Sequence, residues 1–183
     1  EAFIDTVARI ADTFGGINIE DVGAPACFEI EAALKARCSI PVFHDDQHGT
    51  AICVAAGLVN ALALQEKRLE DVKLVCLGGG AAGTACLRLL RAMGMPKEHI
   101  TVVDRQGVVH DARGPLPPHK AAFANNTTAR TLADALAGAA AFIGVSRANL
   151  PSADLLASTA PRPLILAPAN PDPETRPQHH TPL

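Results

Sequence analysis

Apolar and polar positions alternate with two rhythms along this chain. From Ala2 to Thr13 the apolar residues Phe3, Ile4, Val7, Ile10 and Ala11 recur at helical spacing. The run FGGINI (14–19) reads as a turn and a short strand that ends on Glu20 and Asp21. Residues 25–37 predict a helix, with Pro25 in the first turn and Phe28, Ile30, Ala33 and Leu34 as its apolar positions. Ile40 to Phe43 predicts another short strand, and Gly49 to Leu64 a long alanine-rich helix.

Beyond Arg68 the rhythm becomes a regular strand–helix alternation. VKLVCLGGG (72–80) is a buried strand running into glycines, AAGTACLRLLRAMG (81–94) a helix closed by Gly94, and HITVVDRQG (99–107) a second strand. A proline-rich loop at 114–118 precedes a helix near 130–137, a strand at 139–145, a helix near 152–158 and a strand at 163–168. Such alternation predicts an α/β fold with a doubly wound, mainly parallel sheet and helices on both faces. The tail after Pro171 is proline-rich and predicts irregular structure.

Composition narrows the function classes. In 183 residues, 48% are hydrophobic and 19% charged, which fits a folded, soluble chain. The net charge is −3 and Lys and Arg are scattered, so no nucleic-acid partner is expected. The apolar stretch around Ala51–Leu64 reads as too short and interrupted to span a membrane, and no secretory signal is visible. Five cysteines without a C-x-x-C pair point to a reducing, cytoplasmic setting rather than to disulfides or a zinc ribbon. The chain starts at Glu1 within a helical pattern and has no Tyr or Trp, so a portion of a longer protein is expected.

Gly78, Gly80 and Gly83 form G-x-G-x-x-G between a strand and a helix. The first glycine permits the tight turn, the second lets the backbone approach a pyrophosphate, and the third lets helix and strand pack closely. The free N–H groups and dipole of the helix N-terminus favour the phosphates. Asp104, 21 residues after Gly83, ends the second strand where it can accept hydrogen bonds from the adenosine ribose. These elements together indicate a Rossmann-type site for NAD or NADP. Asp104 favours NAD by repelling a 2′-phosphate, whereas Arg105 can pair one.

Two acidic pairs, Glu20-Asp21 and Asp45-Asp46, each follow a short strand. Singly, each has an ordinary explanation: a solvated loop for the first, an N-cap for a helix from Gly49 for Asp46. Together, at matching strand ends, they suggest oxygen ligation of Mg²⁺ or Mn²⁺. A zinc site from His44 and His48 needs a helical turn between a strand and Gly49, where none is expected.

The segments GGINIEDVGAPACFEIE, IPVFHDDQHGTA, GGGAAG and LAPANPDPE, in this order, resemble the bacterial malic enzymes over about Phe14 to Glu174. The resemblance implies that residues 1–48 end a catalytic, metal-binding α/β domain and that 49–183 form a truncated Rossmann domain. It implies oxidative decarboxylation of malate to pyruvate and CO₂ with NAD or NADP, in a homo-oligomer of dimer size or larger. It further implies that Glu20, Asp21 and Asp46 ligate the metal, and that Asp45 lies beside a catalytic lysine and sets its protonation. Gly78, Gly79, Gly80, Ala81, Ala82 and Gly83 would cradle the pyrophosphate, with Asp104 and Arg105 at the adenosine ribose. Asn170 would lie near malate and the nicotinamide. The family's base is a lysine and its acid a tyrosine, both upstream of the Glu-Asp pair; here the first lysine is Lys35 and there is no tyrosine. The chain alone is therefore expected to be catalytically incompetent. A malolactic-type relative making lactate and a non-catalytic dinucleotide-binding module are the alternatives.

Overall fold

The computed structural model describes residues 1–146, 150–169 and 172–176, so Asn170 lies outside the described residues. The chain opens with α1 (Ala2–Ile10), β1 (Ile17–Ile19), α2 (Ala26–Arg37), β2 (Val42–His44) and α3 (Asp45–Leu64). Then follow β3 (Leu74–Leu77), α4 (Ala81–Ala92), β4 (Ile100–Asp104), β5 (Gly107–Val108) and α5 (Pro118–Ala121). The helix α6 (Leu132–Leu136), β6 (Ala141–Gly144), α7 (Ala153–Leu156) and β7 (Leu164–Leu166) complete the α-helices and strands among the described residues.

The strands β1 and β2 form a parallel pair in which Ile19 lies opposite His44. Ile4, Ile19, Leu34 and Val42 close a small core between this pair and the helices α1 and α2. The second sheet runs β5-β4-β3-β6-β7, parallel except for β5. Leu74 and Cys76 of β3 face a core shared with α3 and α4, while Val75 and Leu77 face one shared with α6 and α7. This period of two, with both faces covered, explains why the strand reads as an unbroken apolar run.

Several expectations change. The strand expected over 99–107 ends at Asp104, because its side chain accepts from the Gln106 N–H (2.9 Å) and Gly107 sits at φ +100°, turning the chain into β5. The proline-rich loop at 114–118 runs straight into the one-turn helix α5, begun by Pro118. Most important, α3 begins at Asp45 rather than Gly49, with extended His44 at its N-cap. Asp46 is therefore not the cap but a first-turn acid, favoured there with Asp45 by the helix dipole. At 20 residues α3 is also long and apolar enough to cross a membrane by length and composition, contrary to the shorter stretch expected. Its Ala51, Val54, Ala55, Leu58 and Leu62 are instead buried against α4 and the sheet, as in a core helix. The expected domain boundary at 48/49 falls inside this helix.

The short helix α6 depends on its start. The Thr131 side chain accepts from the Asp134 N–H (3.2 Å), and Asp134 accepts from the Thr131 N–H (2.9 Å), forming a capping box. Thr131→Ala is expected to destabilise the chain by about 1 kcal/mol, a fall of roughly 2–4 °C in Tm, measurable by thermal denaturation.

Candidate dinucleotide and metal site

A cavity of about 700 Å³ opens beyond the C-terminal ends of β3, β4 and β6. Because β4 and β6 flank β3 on opposite sides, this is the point where the strand order reverses, the usual place for a ligand in such sheets. The glycine loop forms one wall. Gly78 has φ +124°, and a Cβ there would stand 2.6 Å from the Val145 carbonyl oxygen. A Cβ on Gly83 would overlap the Gly78 carbonyl oxygen, whereas one on Gly80 would have nothing within 4 Å. The three expected roles (turn, close helix packing, open approach) are thus separated among the three glycines. Gly79 and Gly80 line the cavity. Ala81 and Ala82 begin α4, whose first N–H groups lack intrahelical acceptors and have no side-chain cap.

Asp104 lines the cavity but is far from free. Lys120 Nζ donates to its Oδ2 at 2.6 Å, and Arg113 stands 2.7 Å from its Oδ1. Burial alone would push its carboxyl up, but Lys120, the Gln106 N–H and Arg113 outweigh that and hold it below the usual range. Arg105 is exposed at the same cavity. Two cations therefore hold one carboxylate, and a third lines the same cavity. His119 is held below its usual pKa by burial and by the nearby Lys120 and Arg88, and its ring packs on Phe28, 5.1 Å between centroids. Phe28 belongs to α2, so the first unit of the chain touches the cavity wall.

The acidic pairs do converge on one edge. Ile19 pairs with His44, so Glu20 and Asp45 follow directly after the ends of neighbouring parallel strands. The Asp21 N–H donates to Asp46 Oδ2 at 2.8 Å, and Asp21 holds a left-handed φ of 59°. Asn18 donates to Glu20 (3.1 Å), turning that carboxylate toward its own strand. Gly49 leaves room for the Asp45 carboxylate, which a Cβ there would overlap. Among the described residues, however, no three His, Cys, Asp or Glu groups are gathered closely enough to hold a metal. The carboxylates match a hard cation in donor chemistry, but their ligand cluster is not assembled in this conformation. A helical turn does follow His44, contrary to expectation. Yet His48 points to Glu31 (2.6 Å), while His44 is fully buried and, among the described residues, neither of its ring nitrogens is hydrogen-bonded. Burial pushes the thiols of Cys76 and Cys86 up, the latter to about 12, which disfavours the nucleophilic thiolate at both.

Sequence reasoning missed Arg113, Lys120 and Glu174. The first two flank the proline-rich loop, with no periodic pattern to place them. Glu174 sits in the tail taken as irregular, yet it is fully buried.

Glycine loop, switch-point cavity and a strand-end aspartate define a Rossmann-type dinucleotide-binding protein. Residues 47–180 match the family described as malic enzyme, NAD binding domain. The NADP-dependent malic enzyme of Halomonas elongata is 54% identical over 97% of this chain and 42% of its own length. An NAD-dependent malic enzyme of Rhizobium meliloti is 46% identical over 97% of this chain and 23% of its own. The crystal structure of the NAD-dependent malic enzyme of Thermotoga maritima superposes with a TM-score of 0.90 at 40% identity, over 97% of this chain and 48% of that one. This chain belongs to the malic enzyme family. It spans less than half the length of these relatives.

Proposed function

We propose that this chain supplies the dinucleotide site, and part of the metal edge, of a cytoplasmic enzyme that oxidatively decarboxylates malate to pyruvate with NADP. The observation that carries the reading is the switch-point cavity, walled by the glycine loop and by Asp104 already neutralised by Lys120 and Arg113. When bound, the dinucleotide supplies a hydride acceptor and a divalent cation supplies Lewis acidity for the decarboxylation. The chain's own part is to hold and orient. The Gly78–Gly83 loop and the first turn of α4 offer backbone N–H groups to the pyrophosphate. Lys120, Arg113 and Arg105 offer positive charge where the adenosine ribose carries a 2′-phosphate, which favours NADP over NAD. Glu20, Asp21 and Asp46 would hold Mg²⁺ or Mn²⁺, and Asp45, the first residue of α3, would lie beside the catalytic lysine and set its protonation.

The metal assignment is tested by titration calorimetry. The chain is expected to bind Mn²⁺, and Asp46→Ala to abolish that binding while leaving NADP affinity within about threefold, since Asp46 lies off the cofactor cavity. Intact Mn²⁺ binding in Asp46→Ala would remove Asp46 from the ligand set. NADP binding without any Mn²⁺ binding in the unaltered chain would favour a dinucleotide-binding module instead. Lactate rather than pyruvate as the product of an enzyme containing this chain would favour the malolactic-type reading.

A further inference from the structure

Glu174 is a fully buried carboxylate, and among the described residues its hydrogen-bond partners are backbone groups. It accepts from the Ser146 N–H (2.9 Å) and from the Ala169 N–H (3.1 Å). Those donors follow β6 and β7, past the point where the strand ladder has stopped pairing them. Burying a carboxylate is costly unless hydrogen bonds replace its water, so this side chain is held in place by what it joins. It also lies flat on the last residue of β6: a Cβ on Gly144 would stand 2.5 Å from Glu174 Cδ and 2.6 Å from Cγ.

The segment it grips is the cavity wall beside the glycine loop. Val145 and Ser146 line the cavity. The Val145 N–H donates to the Leu77 carbonyl (2.9 Å), its carbonyl oxygen crowds Gly78, and its Cγ2 would be 3.2 Å from a Cβ on Gly83. Glu174 thus clamps the residues against which the phosphate-binding loop rests. We propose that Glu174 is a positioning residue of the dinucleotide pocket: it fixes Val145-Ser146 against the glycine loop and so sets the width of the pyrophosphate site. This rests on the reading of the cavity as a dinucleotide site. Because Asp104, Arg113 and Lys120 lie on the far side of β3, the clamp acts on the pyrophosphate region and not on the adenosine end.

Glu174→Gln keeps the shape but replaces one acceptor oxygen with an amide donor that faces a backbone N–H. Calorimetry of the variant is expected to show NADP affinity lowered at least tenfold, with adenosine 2′-phosphate affinity within twofold of the unaltered chain. Hydrogen exchange on the ligand-free chains should show loss of protection at residues 144–146 and 78–83, and none in α1 or α2. Should Glu174→Gln fail to fold, Glu174→Asp, which keeps both oxygens but falls short by a methylene, runs the same comparison. Equal losses for both ligands with exchange raised throughout would make Glu174 a merely structural residue and overturn the proposal. So would unchanged NADP affinity or unchanged exchange at 144–146. An unaltered chain that binds no NADP would instead overturn the dinucleotide reading, and this assignment with it.

Discussion

Lys120→Ala is expected to weaken NADP binding by about ten- to a hundredfold while leaving NAD affinity unchanged or slightly higher. A hydrogen bond to a charged group contributes about 1.5–3 kcal/mol, and each 1.4 kcal/mol is roughly a factor of ten in Kd. A second effect has the same sign. Lys120 donates to Asp104 Oδ2 at 2.6 Å, so its removal leaves a carboxylate less neutralised beside the 2′-phosphate and freer to accept from the 2′-hydroxyl of NAD. The fold should survive, because Arg113 and the Gln106 N–H still hold Asp104. The pH dependence follows from the lowered Asp104 carboxyl. Its stabilising contribution is fully present above the ordinary carboxylate pKa and is lost only as pH falls through the lowered folded value. Between pH 6 and 8 Asp104 therefore stays charged, and titration of this group cannot produce the effect. Parallel titrations with NADP and NAD at low and moderate salt decide the matter, the NADP loss being larger at low salt. An equal loss for both cofactors would place Lys120 at the shared pyrophosphate instead, a rival that its stem packed near Gly79 makes concrete.

How far the sequence predicts this site depends on the range of the interactions involved. The glycine loop was legible because every part of its signal is local: strand, turn, helix and fixed spacing. The matching ends of β1 and β2 were legible too, since two apolar runs ending in acidic pairs imply a shared edge. The start of α3 was not, because HDDQHG lacks apolar periodicity and contains a glycine. The helix begins at Asp45 through the dipole of its own first turn and the fit of Asp45 over Gly49. The neutralisation of Asp104 was out of reach for another reason. Arg113 and Lys120 reach it through an antiparallel turn and a one-turn helix, and neither has a hydrophobic pattern to mark it. Arg105, the neighbour in sequence, was the natural choice for a phosphate partner, and it proves to be one exposed cation beside two better-held ones. Glu174 shows the same limit at longer range. Its partners lie 28 and 5 residues away, and nothing in a proline-rich tail announces a buried carboxylate.

Two alanine substitutions in the glycine loop should separate fold from binding. In Gly83→Ala the new methyl meets the Gly78 carbonyl oxygen and approaches Val145 Cγ2 at 3.2 Å; the first is backbone and cannot swing aside. Overpacking of this kind costs about 3 kcal/mol. Alanine recovers about 1 kcal/mol of helix propensity over glycine. The clash wins, leaving a net loss of about 2 kcal/mol, or roughly 4–8 °C in Tm for a chain of this length. Dinucleotide affinity should fall as well, since α4 must move away from the loop. Gly80→Ala meets no such obstacle: its φ is −91° and a Cβ would have nothing within 4 Å. Its Tm should fall by only about 2–4 °C, the effect of a poorer N-cap. Yet the methyl stands in the open space by which a pyrophosphate would reach the α4 N–H groups, and NADP affinity should drop at least tenfold. Thermal denaturation and calorimetry on both variants test the pair together. Full NADP binding in Gly80→Ala would show that the phosphates do not approach through this turn. A Gly83→Ala chain as stable as the original would show that α4 and β3 are not packed as closely as the glycine implies.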